Sequence, residues 1–395
     1  MRLPFEGTLT TAGDGAAVFR DFTGFGPVNI DAKAIRLYFT VDQPTRLGQL
    51  SLFLATSPTL AHNIRWRFNA YTNSSRLAKP GELTVVNLQL AEINTTAGDI
   101  TLSPEGKPSQ LDGFVAARFQ VADDASGPVT VKLLGAETVD VSTNPVVTIS
   151  FDDGHESVMS RAFPAMAERG LVGTHYTIVS HVGQDDRITF DGLKRLAAAG
   201  WEIGGHAYDA TVHGNRFTGE PSDVVLEDLL NLRDWLAANF PDPDGIYTLA
   251  YPGGSYEDTT DGVAVEDIAA QAGFAVGRTI LAEVGVSTHC QIDSLPYPAM
   301  PMRLRGLTGI SSLMPSGPAV PSRLIGPGGM LDKVKANGGW LNLVFHRVVA
   351  GTPVEQTEIS QADFDAILDA ILARGLTVLT TRDAIRGFAR GRRRR

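Results

Sequence analysis

From Val146 onward, short β-rich runs alternate with amphipathic helical runs for roughly 240 residues. This alternation constrains the fold more than any other feature. Strands separated by helices pair in parallel, so the second part of the chain is expected to be α/β. Strands are predicted over 146–151, 174–179, 201–205, 246–251, 274–279, 340–345 and 376–380. Helices are predicted between them over 158–170, 190–199, 222–239, 263–272, 330–336 and 360–373. In the longest, Val225, Leu226, Leu229, Leu232 and Leu236 form one apolar stripe. Periodicity alone does not separate a closed barrel from an open doubly wound sheet.

Residues 1–140 follow a different pattern. Runs at 34–41, 49–55, 63–68, 83–90, 113–119 and 129–134 read as short strands divided by Gly, Pro, Asn and Asp clusters. No helical period is apparent, and an antiparallel β-sandwich is the expected arrangement. Trp66 and Tyr71 are aromatics that a glycan-binding surface of this domain would use if exposed. The junction falls near Ser142-Thr143-Asn144-Pro145, small polar residues and a proline that interrupt regular structure. The expected division is 1–140, an α/β unit over 146–390, and a basic tail, 391–395, read as a solvated end.

Composition narrows the chemistry. The chain has 34 Lys plus Arg against 44 Asp plus Glu, a net charge of −10, which argues against a duplex nucleic-acid partner. No apolar run reaches the roughly 20 residues of a membrane helix, and no signal peptide is visible at the start. With Cys290 the single cysteine, a metal would have to be held by histidine and carboxylate.

The polar residues collect at strand ends. Asp152 and Asp153 follow one predicted strand, His206 another and His346 a fourth, while Tyr251-Pro252-Gly253-Gly254 closes a third. In parallel α/β folds these ends face the active site, so the residues should meet on one rim. Two adjacent carboxylates are relieved of their repulsion by a cation on one of them, leaving the other as base. His213 lies seven residues after His206. On one continuous helix the two would be separated by about 10 Å along the axis, so a shared ion requires residues 207–212 to form a loop. One carboxylate and two imidazoles would leave a position for water, as hydrolytic zinc sites require. His346 suits a general acid. His155 and His181 lie near the same rim, His175 is expected to be packed, and His62 and His289 are expected at the surface.

These residues, in this order, resemble the polysaccharide deacetylase family, carbohydrate esterase family four, over about Val146 to Ile385. Thr148-Ile149-Ser150-Phe151-Asp152-Asp153-Gly154 looks like its first motif, Gly200–His206 like the approach to its second, and Leu341–His346 like its last. The resemblance implies an irregular (β/α) barrel, with Asp152 as catalytic base, Asp153 and His206 as metal ligands, and His346 as catalytic acid. It implies removal of acetyl groups, N-acetyl foremost, from a peptidoglycan or chitin-like polysaccharide, with a divalent metal, commonly zinc. Tyr251, Pro252 and Gly253 would then line the oxyanion and substrate side.

The chain departs from the family in three places. Ala210 stands where a second metal histidine is usual, which nominates His213, with Asp209 as the rival. Ala250 stands where an arginine is usual, so Arg303 or Arg305 is expected to steady the base. The stretch between Gly285 and Gly309 lacks a clear aspartate–tryptophan motif. The missing second histidine and arginine motivate an alternative, a catalytically silent barrel that binds glycan or serves a larger assembly, and the β-rich front domain without a visible signal peptide would suit a phage tail as that assembly. Action outside the cell or on its envelope is expected in either case, with a homo-oligomer, a trimer if virion-associated.

Overall fold

The computed structural model describes residues 1–68, 78–88, 100–102, 108, 112–140, 144–281, 300–313 and 324–392. Two compact units divide between Ser142 and Thr143.

The first unit contains β1 (Arg2–Leu3), β2 (Gly7–Thr10), β3 (Ala17–Val28), β4 (Lys33–Val41), β5 (Leu47–Ala55), β6 (Asn63–Phe68), β7 (Thr84–Leu88), β8 (Ile100–Leu102), β9 (Phe114–Asp123) and β10 (Thr130–Asp140). They form two five-stranded sheets, β1-β10-β4-β7 with β2 also on β10, and β3-β9-β5-β6-β8. Every pairing between these strands is antiparallel. In β4, Ile35, Leu37, Phe39 and Val41 are buried, while Arg36, Tyr38 and Thr40 between them are partly open. That period of two is the signature of a sheet with one buried face. Trp66 belongs to that buried set and is fully enclosed, which removes it as a glycan-binding aromatic. Tyr71 lies outside the described residues, as do His289 and Cys290.

The second unit is built on β11 (Val146–Phe151), β12 (Thr174–Ile178), β13 (Glu202–Ala207), β14 (Thr248–Ala250), β15 (Val276–Leu281), β16 (Leu304–Leu307) and β17 (Trp340–Phe345). Each pairs in parallel with the next, and β11 pairs with both β17 and β12. The seven strands therefore close into a parallel barrel. β18 (Arg347–Val349) and β19 (Glu358–Ser360) form a separate pair. β20 (Thr377–Leu379) pairs with Val146–Thr148 of β11, whereas β12 pairs with Ser150 and Phe151. The two thus use opposite halves of β11, and β20 stands outside the ring.

The helices are α1 (Phe163–Ala167), α2 (Phe190–Ala198), α3 (Ala210–Gly214), α4 (Ser222–Asn239), α5 (Val265–Gln271), α6 (Ile310–Leu313), α7 (Met330–Asn337), α8 (Gln361–Ala373) and α9 (Thr381–Arg392). α4 buries Val225, Leu229, Leu232 and Leu236, the stripe expected from sequence. α9 carries the chain through Arg392, so the first two tail residues are helical; the last three lie outside the described residues.

Two features hold the strand ends in place. Phe151, the last residue of β11, stacks on Trp201 and Phe345 at 5.7 Å each and meets Phe364 edge-on at 5.9 Å. Such aromatic pairs contribute about 0.5–1.5 kcal/mol each beyond their burial. At the opposite ends of the strands, buried Glu202 accepts from Thr248 Oγ1 at 2.5 Å, Thr174 Oγ1 at 3.1 Å and the Arg382 N–H at 2.8 Å. Both carboxylate oxygens are satisfied there, and α9 is fastened to β13.

Candidate metal and catalytic centre

The turn after β11 is set by its backbone. Asp153 has φ 67° and Gly154 φ 74°, so the chain reverses through two left-handed residues. That conformation is uncommon for a residue with a side chain, though Asp tolerates it better than most. Arg187 Nη1 donates to the Asp153 carbonyl at 2.7 Å, and the Ile188 N–H donates to that of Gly154 at 2.8 Å. The Asp152 N–H donates to the Phe345 carbonyl at 2.9 Å, tying the turn to β17.

His206 lies within β13 rather than just beyond it. The two glycines before it admit close neighbours: a Cβ on Gly204 would meet Tyr176 at 2.7 Å, and one on Gly205 would meet Leu232 at 2.6 Å. After β13 the chain turns at Tyr208 and Asp209 and enters α3, so residues 207–212 are not a continuous loop. Three consecutive N–H groups fix this turn. Those of Tyr208 and Asp209 donate to the Asp228 carboxylate at 2.9 and 2.8 Å, and that of Ala210 donates to Ser180 Oγ at 2.8 Å. Burial pushes the Asp228 carboxyl up to about 6. Asp209 caps α3 by accepting from the Thr211 N–H at 2.7 Å. His213 on α3 is thereby turned back on His206, with ring centroids 4.5 Å apart.

Asp153, His206 and His213 present ligand atoms within 4.8 Å of one another. Nε2 of each histidine lies 3.4 Å from Asp153 Oδ1. His206 Nδ1 lies 2.7 Å from the Ala250 carbonyl, an acceptor, so Nδ1 carries the proton and Nε2 presents its lone pair to the carboxylate. His213 Nε2 is buried and without a hydrogen-bond partner. Two acceptors facing each other across such a gap call for a cation, and the donor set, two imidazoles and one carboxylate, fits a hydrolytic zinc site.

Asp152 is held by another residue than expected. Arg278 Nη2 donates to Oδ1 at 2.7 Å and to Oδ2 at 2.5 Å, and both side chains are almost fully enclosed. Burial pushes the Asp152 carboxyl up; Arg278, His206 and His346 reverse that, and it remains below the usual range. Arg303 is turned to Glu266, at 2.7 and 2.6 Å, and Arg305 sits in β16, where its carbonyl accepts from Asn342. Among the described contacts the arginine that meets Asp152 is therefore Arg278, whereas the Arg303 guanidinium is taken by Glu266. The sequence carried a signal for it: an arginine within the apolar run 274–279 needs a buried carboxylate partner. Asp228 gave no such signal, because it looks like an ordinary polar position of an amphipathic helix.

His346 follows β17 directly, its Nε2 4.0 Å from both Asp152 Oδ2 and Asp153 Oδ2. Tyr251 follows β14, but its ring is buried and its hydroxyl donates to the Met302 carbonyl at 3.0 Å. Of the turn after it, the N–H groups of Tyr251, Gly254 and Ser255 are taken by the carbonyls of Arg278, Tyr251 and Pro252. Pro252 has none, and Gly253, at φ 59°, takes no part in the bonds that close the turn. His155 contacts Arg187 and Arg347 near Asp153; His175 is buried in β12, and His62 is exposed.

Residues 140–276 match the family described as Polysaccharide deacetylase. The chain is 27% identical over 122 residues to the poly-beta-1,6-N-acetyl-D-glucosamine N-deacetylase of Staphylococcus aureus, covering 28% of this chain and 41% of that protein. It thus spans about two fifths of the length of the curated relatives it matches. Among solved structures it is 22% identical to the Streptococcus pyogenes deacetylase PplD in complex with acetate, covering 33% of this chain and 54% of that one, with a TM-score of 0.29. IcaB from Ammonifex degensii is also 22% identical, covering 33% and 58%, with a TM-score of 0.27. The closed barrel follows from the strand pairing itself, and in sequence residues 140–276 are similar to the polysaccharide deacetylase family.

Proposed function

We propose that this chain is a metal-dependent hydrolase that removes acetyl groups, N-acetyl foremost, from a cell-envelope polysaccharide of the poly-N-acetylglucosamine or peptidoglycan class. The observation that carries this reading is the facing of His206 Nε2 and the orphaned His213 Nε2 toward Asp153. Asp153, His206 and His213 would hold a divalent cation, zinc by their chemistry, which when bound polarises the acetyl carbonyl and makes water more acidic. Asp152, kept ionised and aimed by Arg278, takes the proton of the attacking water. The Gly253 N–H donates to the oxygen on which charge develops. His346 then protonates the departing nitrogen as the tetrahedral species collapses.

His213 and Arg278 supply the two groups whose absence from the expected positions favoured a silent barrel, so the catalytic reading is preferred. The division into a catalytic unit over 146–390 and a β-sandwich over 1–140 belongs to the same proposal. Acetate release from a poly-β-1,6-N-acetylglucosamine oligomer and from peptidoglycan tests it. Release abolished by chelation and restored by zinc supports the reading; full zinc occupancy without release from either overturns it.

A further inference from the structure

Arg216 and Phe217 follow α3 with φ 58° and 59°, two consecutive left-handed residues, neither of them glycine. Each is a strained conformation that persists only where surrounding structure imposes it. Phe217 supplies the anchor, since its ring is fully buried. The result is that Arg216, exposed at the rim, lies over the oxyanion-side turn. A Cβ on Gly253 would meet its Nε at 3.0 Å, Cδ at 3.1 Å and Cζ at 3.2 Å. Gly253 is favoured for its φ, and its bare Cα leaves room for this arginine.

The charges around the rim show what is left over. Asp152 is matched by Arg278, and Asp153 by the two histidines and the cation they would share. Arg347 is paired with Asp186, and Arg187 donates to the Asp153 carbonyl. The Glu220 carboxylate takes the Asn215 amide at 2.6 Å. Among the described residues, Arg216 alone of these rim arginines has no acceptor for its guanidinium. In a chain of net charge −10, a strained backbone thus holds an unmatched planar cation beside the site of acyl attack. The planar fork of arginine suits a carboxylate, which it can bind through two parallel hydrogen bonds.

We propose that Arg216 is a specificity-determining residue that binds a carboxylate on the sugar bearing the scissile acetyl group or on its neighbour, so that the substrate is an acidic rather than a neutral glycan. This deepens the deacetylase reading and rests on it. Two sources carry that chemistry, the lactyl ether of a muramic acid and a hexuronic acid.

Calorimetric binding by the zinc-loaded full chain separates them. The probes are a muramic-acid-containing tetrasaccharide, its methylamide, a hexuronate-containing tetrasaccharide and a neutral N-acetylglucosamine tetramer. A charged hydrogen-bonded contact is worth about tenfold or more in affinity. The native chain is expected to prefer one carboxylate ligand over the neutral tetramer by about that factor. Arg216→Gln should collapse this ratio to about one, and Arg216→Lys should restore part of it. The acid that shows the preference identifies the source. A ratio near one in the native chain, or a ratio unchanged in Arg216→Gln, overturns the proposal. Arg216→Lys guards against a folding artefact, because it keeps length and charge. Acetate release is read separately: no turnover with the binding preference intact would count against the deacetylase reading and leave the carboxylate site standing.

Discussion

The barrel buries polar side chains at both ends of its strands, and the two ends treat them differently. Around Glu202, every acceptor meets a donor: Thr174, Thr248 and the Arg382 N–H close the set. Around Asp153, acceptor faces acceptor, with His206 Nε2 and His213 Nε2 each 3.4 Å from one carboxylate oxygen. The first arrangement is complete as it stands and serves stability. Under the proposed reading, a cation completes the second. Burial of polar groups is therefore not the mark of a functional site; burial with unmet lone pairs is.

The contrast can be broken from its open end first. Asp152→Asn should leave the barrel folded and lower kcat by about 10²–10⁴-fold, the usual contribution of a general base. An unchanged kcat would exclude Asp152 as base. His213→Ala should weaken zinc binding by more than the 10–100-fold typical of losing an outer partner of a metal ligand. Equilibrium dialysis reads this directly, and unaltered affinity would remove His213 from the ligand set. A smaller effect is expected at Asp228, which touches no ligand atom but fixes the turn between the two histidines. Asp228→Ala should reduce zinc affinity by about tenfold, at the low end of such supporting interactions.

The closed end gives the mildest test. Burial raises the Glu202 carboxyl above its ordinary value, so the folded state holds this proton more tightly than the unfolded chain does. The stability linked to this group is fully present below the ordinary carboxylate range and is lost as pH rises through the raised folded value. Glu202→Gln removes that titration and should flatten this part of the stability–pH curve in urea unfolding, with zinc affinity preserved. A curve of unchanged shape would mean the carboxylate is not buried as described.

Much of this was legible from residue order. Asp152, Asp153 and His346 stand immediately after strands recognisable by their apolar runs, and α4 was legible from its stripe. Other elements gave no periodic signal. β16 is only Leu304-Arg305-Gly306-Leu307, enclosed along its length, so no alternation marks it. β3 contains Gly24, Gly26 and Pro27 and is largely exposed, which hides a strand of 12 residues among turn formers. Arg278 was missed because its partner is 126 positions away, and only closure of the barrel brings the two together. The His206–His213 spacing was ambiguous for a local reason. A strand, a two-residue turn and a one-turn helix bring positions seven apart within reach, and neither a helix nor a strand alone does so.

X-ray absorption at the zinc edge, on the full chain reconstituted with one equivalent, tests the central claim most directly. The account predicts one tightly held ion with two imidazole nitrogens at about 2.0–2.1 Å and oxygen in the remaining positions, and loss of one imidazole in His213→Ala. A spectrum of fully hydrated zinc, or one whose imidazole count is untouched by that substitution, would contradict it.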